Sequence, residues 1–200
     1  MSTLDIFPTK IYKTKFNDIQ YLQSTVVPGL DNLFNEAKNN NQRSMHDGVS
    51  SFETRNDLHT WAVHKPMVEF INKHVSLYWD TLGYSSKLKP VIRHMWANCY
   101  ENDGFIDLHN HSPIPIVGVL YLEKESGVAN IVLNHPTDIL LNYQPFDYGP
   151  TAYKRFEQEI DAVSGDLLIF PGYLQHKTLP NDSNKNRIII GFNITAEEIK

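Results

Sequence analysis

The chain has 200 residues, 41% hydrophobic and 20% charged, as suits one soluble globular domain with a well-formed core. Its 18 basic and 23 acidic residues leave a formal charge of −5, with no general attraction to phosphate backbones or anionic membranes, and the one compact basic cluster, Lys87, Lys89 and Arg93, is too small to imply nucleic acid. No apolar run approaches the roughly 20 residues of a membrane helix, the opening MSTLDIFPTK lacks a signal-peptide pattern, and the single Cys99 excludes an internal disulfide and a Cys-based zinc site, so a cytoplasmic protein is expected.

The first half reads as mainly helical. Asn17 is placed to cap a short helix carrying Ile19, Leu22 and Val26, which Pro28-Gly29 interrupts. Pro28 opens a second helix, with Leu30, Leu33, Phe34 and Ala37 at helical spacing. A polar loop at 39–42 and a turn at 47–51 follow. After Pro66 a longer helix turns Val68, Ile71, Val75, Leu77 and Trp79 inward and ends near Gly83.

From residue 91 the character changes. Short apolar or alternating runs predict strands at 91–100, 105–111, 114–122, 129–133, 159–163, 166–170 and 187–194. Turn residues separate them, among them Asn102-Asp103-Gly104, Ser126-Gly127 and Ser164-Gly165. Many short strands argue for a sandwich or barrel. The expectation is one domain: a helical layer over 1–90, packed on one sheet of a β-barrel over 91–196.

The chemistry is carried by histidines. His109 and His111 share one strand face, as does Asp107. His176 stands 67 positions beyond His109 (176 − 109), after a strand that ends at Pro171. Three imidazoles make a facial set for one metal ion. Most nonheme iron sites use two His and a carboxylate, so either His111 is the third ligand or Asp107 supplies that carboxylate. Three neutral imidazoles would leave Fe(II) its full double charge and favour a dianionic co-ligand. Arg187, 11 positions after His176 (187 − 176), could grip such a carboxylate with two parallel hydrogen bonds. Arg187, Ile189, Gly191 and Asn193 share a face, which puts Asn193 within reach of the other end of a dicarboxylate and leaves room over Gly191 for it to lie flat. Trp96, Asn98 and Tyr100 share another; Asn98 and Tyr100 are candidate pocket residues, while Trp96 and Tyr121 read as core.

These stretches resemble the 2-oxoglutarate/Fe(II)-dependent oxygenases. The resemblance rests on Asn98-Cys99-Tyr100, on His109-Asn110-His111, and on Gly165-Asp166 through Phe170-Pro171, His176, Arg187 and Asn193. It extends to a small subfamily with an opening like Ile6-Phe7-Pro8-Thr9, a strand like Gly118–Leu122 and a closing strand like Arg187–Asn193. The resemblance implies a double-stranded β-helix, a jelly-roll barrel of the cupin kind. It implies Fe(II) held by His109, His111 and His176. It implies 2-oxoglutarate anchored by Arg187, with Asn98, Tyr100 and Asn193 in support. The reaction would release succinate and CO₂ and hydroxylate a C–H bond of a small molecule or peptide. The His-x-His pair departs from the His-x-Asp or His-x-Glu of most of the superfamily.

Blander readings compete. A lone His is more often a hydrogen-bonded or surface residue than a ligand, and His46, His59, His64, His74, His94 and His135 are left so. Two rival functions remain: a three-His cupin-like dioxygenase or metal-binding barrel that does not use 2-oxoglutarate, and a non-catalytic interaction domain. The segment 134–156 reads as a loop over the barrel mouth, with Tyr143, Phe146, Tyr148 and Tyr153 as lid candidates. An acidic chain argues against nucleic acid as substrate. The oligomeric state stays open between monomer and homodimer.

Overall fold

The computed structural model describes residues 8–40, 43–44, 48–137 and 157–199. Two antiparallel sheets face each other. The larger runs β1-β8-β5-β10-β4-β3-β2, from β1 (Tyr12–Lys15), β2 (Arg43–Ser44), β3 (Gly48–Ser50), β4 (Leu88–Tyr100), β5 (Ile116–Glu123), β8 (Asp166–Pro171) and β10 (Arg187–Glu198). The smaller is β7-β6-β9, from β6 (Ile131–Asn134), β7 (Glu157–Ile160) and β9 (His176–Thr178).

Strand periodicity divides the core in two. Met95, Ala97 and Cys99 of β4, Ile116, Leu120 and Leu122 of β5, and Ile188, Ile190, Phe192 and Ile194 of β10 face a helical layer. Alternate residues, Val117, Val119 and Tyr121 of β5 with Leu168 and Phe170 of β8, face Ile131 and Leu133 of the small sheet. This inner face also receives Trp96, Asn98 and Tyr100 from β4 and Arg187, Ile189, Gly191 and Asn193 from β10, by the same alternation. This is the arrangement of a double-stranded β-helix with helices on one sheet.

The helical layer departs from expectation in detail. Asp18, not Asn17, caps α1 (Ile19–Tyr21), accepting from the Tyr21 amide at 2.9 Å. Pro28-Gly29 does not interrupt the helix. A π-helical turn, Leu22–Val26, leads without a break into α2 (Val27–Asn39), whose first turn holds Pro28. The wider turn accommodates the amide that proline lacks. In α3 (Lys65–Leu82), Leu77 is 45% exposed, while Met67 and Tyr78 join Ile71, Val75 and Trp79 inside. Gly83 closes α3 in the left-handed region at φ 71°, as the glycine there predicts.

Strand differences follow from pairing. The run 105–111 is not a strand; it meets β9 through one isolated bridge, His109↔His176, and through the Thr178 amide, which donates to Ile106 O at 3.1 Å. β9 has only three residues and offers no longer ladder. β1, β2 and β3 carry no strand pattern in the sequence, β9 is the facing strand expected to carry His176, and the run at 159–163 overlaps β7 by two residues (159 and 160). β1 is an edge strand, Tyr-Lys-Thr-Lys, whose lysines keep the edge in water; so short a run carries little period-two signal. No helix among the described residues is long and apolar enough to cross a membrane. The lid residues Tyr143, Phe146, Tyr148 and Tyr153, together with His46 and Ile6-Phe7, lie outside the described residues.

Candidate metal centre

His109 and His176 are fastened to each other by their own backbone. The amide of His109 donates to the carbonyl of His176 at 3.0 Å, and the amide of His176 to the carbonyl of His109 at 2.8 Å. The His111 amide donates to the Gly172 carbonyl at 2.8 Å, just beyond the end of β8. A Cβ on Gly172 would sit 2.0 Å from the Ile114 carbonyl oxygen, so only glycine lets the 111–115 turn lie this close. Loop and strand ends are thus clamped together where the three rings meet.

The rings converge. Their centroids lie 5.2 Å apart for His109 and His111, 4.2 Å for His109 and His176, and 5.2 Å for His111 and His176. One nitrogen from each lies within 4.8 Å of the others. Two nitrogens bound to one ion at about 2 Å are at most about 4 Å apart, so small ring rotations bring all three onto a single cation. The carboxylate of Asp107 is not among the converging atoms; its backbone carbonyl sits 2.8 Å from Nδ1 of His109.

Each ring is oriented through Nδ1. Besides Asp107 O for His109, the acceptors are Leu174 O for His176 at 2.9 Å and Asn193 Oδ1 for His111 at 3.0 Å. A carbonyl oxygen only accepts, so Nδ1 carries the proton in each ring and the Nε2 lone pair is left for a metal. Burial, followed by the neighbouring charge of His109, pulls His111 down to about 4 and His176 down to about 3. Both are therefore neutral at pH 7 and ready to ligate.

These depressed values predict how the metal-free protein responds to acid. An unfolded chain takes up protons as pH falls through about 6.5, whereas the folded His111 and His176 resist until about 4 and about 3. The fully buried His64, also lowered by burial, acts with the same sign. Their contribution is complete above about pH 6.5 and is lost as pH falls from there toward 3. The melting temperature of chelator-treated protein, followed from pH 7.5 to 4, is expected to fall steadily; a flat profile would contradict this.

Arg187 lies further along the same inner face. It is 2% exposed. It donates to Ala129 O at 2.9 Å and to Thr178 Oγ1 at 3.1 Å, and its guanidinium stacks 4.2 Å from the centre of the Tyr100 ring. Its Nε is buried with no partner, and no carboxylate pairs with it among the described residues. Lys124 makes the contrast: its side chain is equally buried, and Asp161 stands 3.4 Å from its ammonium. Of the five guanidinium N–H groups, two are used by the described residues, which leaves three of them without a partner there. The Asn98 Oδ1 atom is likewise buried and unpartnered; Asn98 faces Ile189, one inward step from the Tyr100–Arg187 pair. An uncompensated buried cation is the environment a carboxylate completes, whereas the Asn98 oxygen accepts and calls for a donor.

Not every expected contact is there. No ligand can lie flat over Gly191, because the Trp96 indole occupies that space; a Cβ on Gly191 would be 2.7 Å from it. Trp96 is a buried wall of the metal centre, 6.2 Å from the His111 ring and edge-on to Phe52 at 5.0 Å. Asn193 faces His111, as the bond above shows. The sequence reading missed Thr178 and the Ala129 carbonyl. Thr178 was open to discovery, two positions after His176 and hence on its face; a backbone carbonyl carries no sequence signal. The remaining described histidines have other surroundings: His64 Nδ1 lies 2.8 Å from Leu58 O, His74 Nδ1 2.8 Å from the Tyr12 hydroxyl, His94 packs against Phe52, His135 Nδ1 accepts from the Thr137 amide at 3.1 Å, and His59 Nδ1 is buried without a partner among the described residues.

Two facing antiparallel sheets, three convergent imidazoles and a buried guanidinium on one inner face define a metal-dependent barrel of the oxygenase type. Residues 94–193 match the family described as "Putative 2OG-Fe(II) oxygenase", and the chain belongs to that family. It depends on Fe(II) and 2-oxoglutarate. No curated protein matches the sequence. Solved structures share the fold. A prolyl-4-hydroxylase from Pseudomonas putida is 11% identical with a TM-score of 0.59, over 92% of each chain. HygX from Streptomyces hygroscopicus, with nickel and 2-oxoglutarate bound, is 11% identical with a TM-score of 0.61, over 93% of this chain and 82% of its own. An oxidoreductase of the 2OG-Fe(II) oxygenase family from Burkholderia pseudomallei is 13% identical with a TM-score of 0.50; 68% of this chain spans 57% of that one.

Proposed function

We propose that His109, His111 and His176 hold Fe(II), that Arg187 anchors the far carboxylate of 2-oxoglutarate, and that the protein hydroxylates a C–H bond of a small molecule or peptide. When bound, iron and co-substrate supply the oxidation of C–H by O₂, one oxygen atom entering the product and the other entering succinate as CO₂ leaves. The observation that carries the reading is the buried Arg187, without a carboxylate partner among the described residues, on the barrel face that leads to three converging imidazoles. The donor set fits Fe(II): each ring spends Nδ1 on an oxygen acceptor, and one nitrogen from each ring converges with the others.

The chain's own residues then divide the work. Main-chain bonds hold the backbones of His109 and His176 together, so that only their rings need turn to meet an ion. Arg187 completes its hydrogen bonding on a dicarboxylate, with Tyr100 stacked beneath the guanidinium, and Asn98 lines the same wall. Trp96 lies beside the His111 ring, where its indole would shield a bound ion from water on that side. A cytoplasmic setting suits a protein whose one cysteine, Cys99, is a buried free thiol.

The test is succinate formation. Purified protein given Fe(II), 2-oxoglutarate and O₂ is expected to release succinate above a metal-free control, even without prime substrate. O₂ consumption on a candidate substrate with no need for 2-oxoglutarate would favour a three-His cupin-like dioxygenase instead, and no turnover with intact metal binding would favour a binding domain.

A further inference from the structure

Among the three rings, only His111 is oriented by a side chain. His109 and His176 point Nδ1 at main-chain carbonyls, which no substitution removes, whereas His111 points Nδ1 at Oδ1 of Asn193, 3.0 Å away and 82 positions along the chain. Asn193 is 7% exposed, between His94 of β4 and Val117 of β5. Immediately after it the β10–β4 ladder slips by a bulge. Bulges re-aim a side chain locally, and this one ends the regular register at the residue that meets His111.

We infer that Asn193 is a positioning residue of the metal centre and not a contact of 2-oxoglutarate: its amide oxygen fixes the ring angle and the tautomer of His111. The inference rests on the assignment of His109, His111 and His176 as metal ligands. Its content is chemical as well as geometric. In the commoner site the third ligand is a carboxylate, which brings one negative charge to the metal. Here the third ligand is neutral, and so is the group that orients it. An Asp at 193 would orient His111 equally well but would place a negative charge one hydrogen bond from the metal. Asn therefore keeps the bound ion at its full charge, which is the condition under which a dianionic co-substrate binds best. Arg187 serves the same end from the far side of the pocket.

The experiment compares Asn193→Ala, Asn193→Leu and Asn193→Asp with His176→Ala and Arg187→Ala. Co(II) affinity is measured anaerobically from the visible absorption of the bound ion, and 2-oxoglutarate affinity by calorimetry on protein saturated with Co(II). Asn193→Ala and Asn193→Leu are expected to bind Co(II) about ten- to a hundredfold more weakly, the usual cost of losing an outer partner of a ligand. Leu nearly fills the volume of Asn, so its loss reports the acceptor and not the packing. Asn193→Asp restores the acceptor and is expected to hold Co(II) at least as tightly as wild type while binding 2-oxoglutarate less tightly. Metal-saturated Asn193→Ala keeps wild-type 2-oxoglutarate affinity, which Arg187→Ala loses.

Wild-type metal affinity in Asn193→Ala would overturn the inference, and weaker 2-oxoglutarate binding beside it would return Asn193 to the co-substrate. Metal loss in Asn193→Asp equal to that in Asn193→Ala would overturn the acceptor role. If His176→Ala retains Co(II), the three-His reading fails first and takes this inference with it. If His176→Ala loses Co(II) while Asn193→Ala does not, only the role of Asn193 fails. Melting curves confirm that each variant is folded before its affinity is read.

Discussion

His176→Ala is expected to abolish stoichiometric Fe(II) binding while the barrel stays folded. His176 is the most enclosed of the three converging histidines at 7% exposure, and it packs against His109 at 4.2 Å and the edge of Phe170 at 4.9 Å between ring centroids. Removing its ring leaves two imidazoles, too few for a facial set. The backbone bonds that tie residue 176 to 109 survive the substitution, because they involve no side chain. The cost to stability is therefore that of a small cavity, about 1–3 kcal/mol, partly offset because the enclosed imidazole no longer resists protonation below neutral pH. Anaerobic Fe(II) titration with a chelator competitor checks the outcome, with circular dichroism as the control on folding. Full iron occupancy in the variant would exclude His176 as a ligand. The loss of metal carries a second consequence: wild type is expected to gain thermal stability on adding Fe(II), by mass action on the folded state, and the variant is not.

How much of this was legible in the sequence depends on the range of the interaction. Period-two alternation in β4, β5 and β10 gave the inner face correctly, because a strand buried on both faces still sends alternate residues to opposite layers; Arg187, Asn98 and Tyr100 fall on one wall for that reason. Gly83 was legible as a helix stop because a left-handed residue after a helix favours glycine. Pro28 misled, since local propensity reads proline as a break and cannot see the π-helical turn that absorbs it. The segment before His109 misled in the other direction: its pattern is strand-like, but pairing needs a partner, and β9 provides one bridge only. Asn193 was placed on the right face, and its contact with His111 was not foreseen. Its alternation is correct, yet whether it meets a co-substrate or His111 depends on a loop 82 positions away and on a bulge that no local pattern announces. Gly191 failed likewise, because the space above it belongs to Trp96 on the adjacent strand.

Arg187→Met is expected to cripple 2-oxoglutarate binding while leaving the metal site and, in the free protein, stability largely intact. The two effects have opposite origins. In the free protein the guanidinium is 2% exposed and leans on neutral groups, Ala129 O, Thr178 Oγ1 and the Tyr100 ring. Burial is the first cause pulling its pKa down, which marks an environment that disfavours the charge. Replacing an uncompensated buried charge by an apolar side chain of similar length is therefore close to neutral, or stabilising. In the complex the same charge meets a carboxylate in a dry setting, and truncating one partner of such a pair costs roughly 2–5 kcal/mol. That is about thirty- to several-thousand-fold in Kd. Arg187→Lys should fall between, since an ammonium keeps the charge but lacks the fork. Calorimetry on Fe(II)-loaded protein under anaerobic conditions measures the affinities, and thermal melting with and without 2-oxoglutarate gives the linked stabilities. Wild type should melt higher with the co-substrate and Arg187→Met scarcely so, whatever their order without it. Unchanged 2-oxoglutarate affinity in Arg187→Met would remove this residue from the site, and a large destabilisation of the free variant would show that the guanidinium is a structural strut and not a binding group held ready.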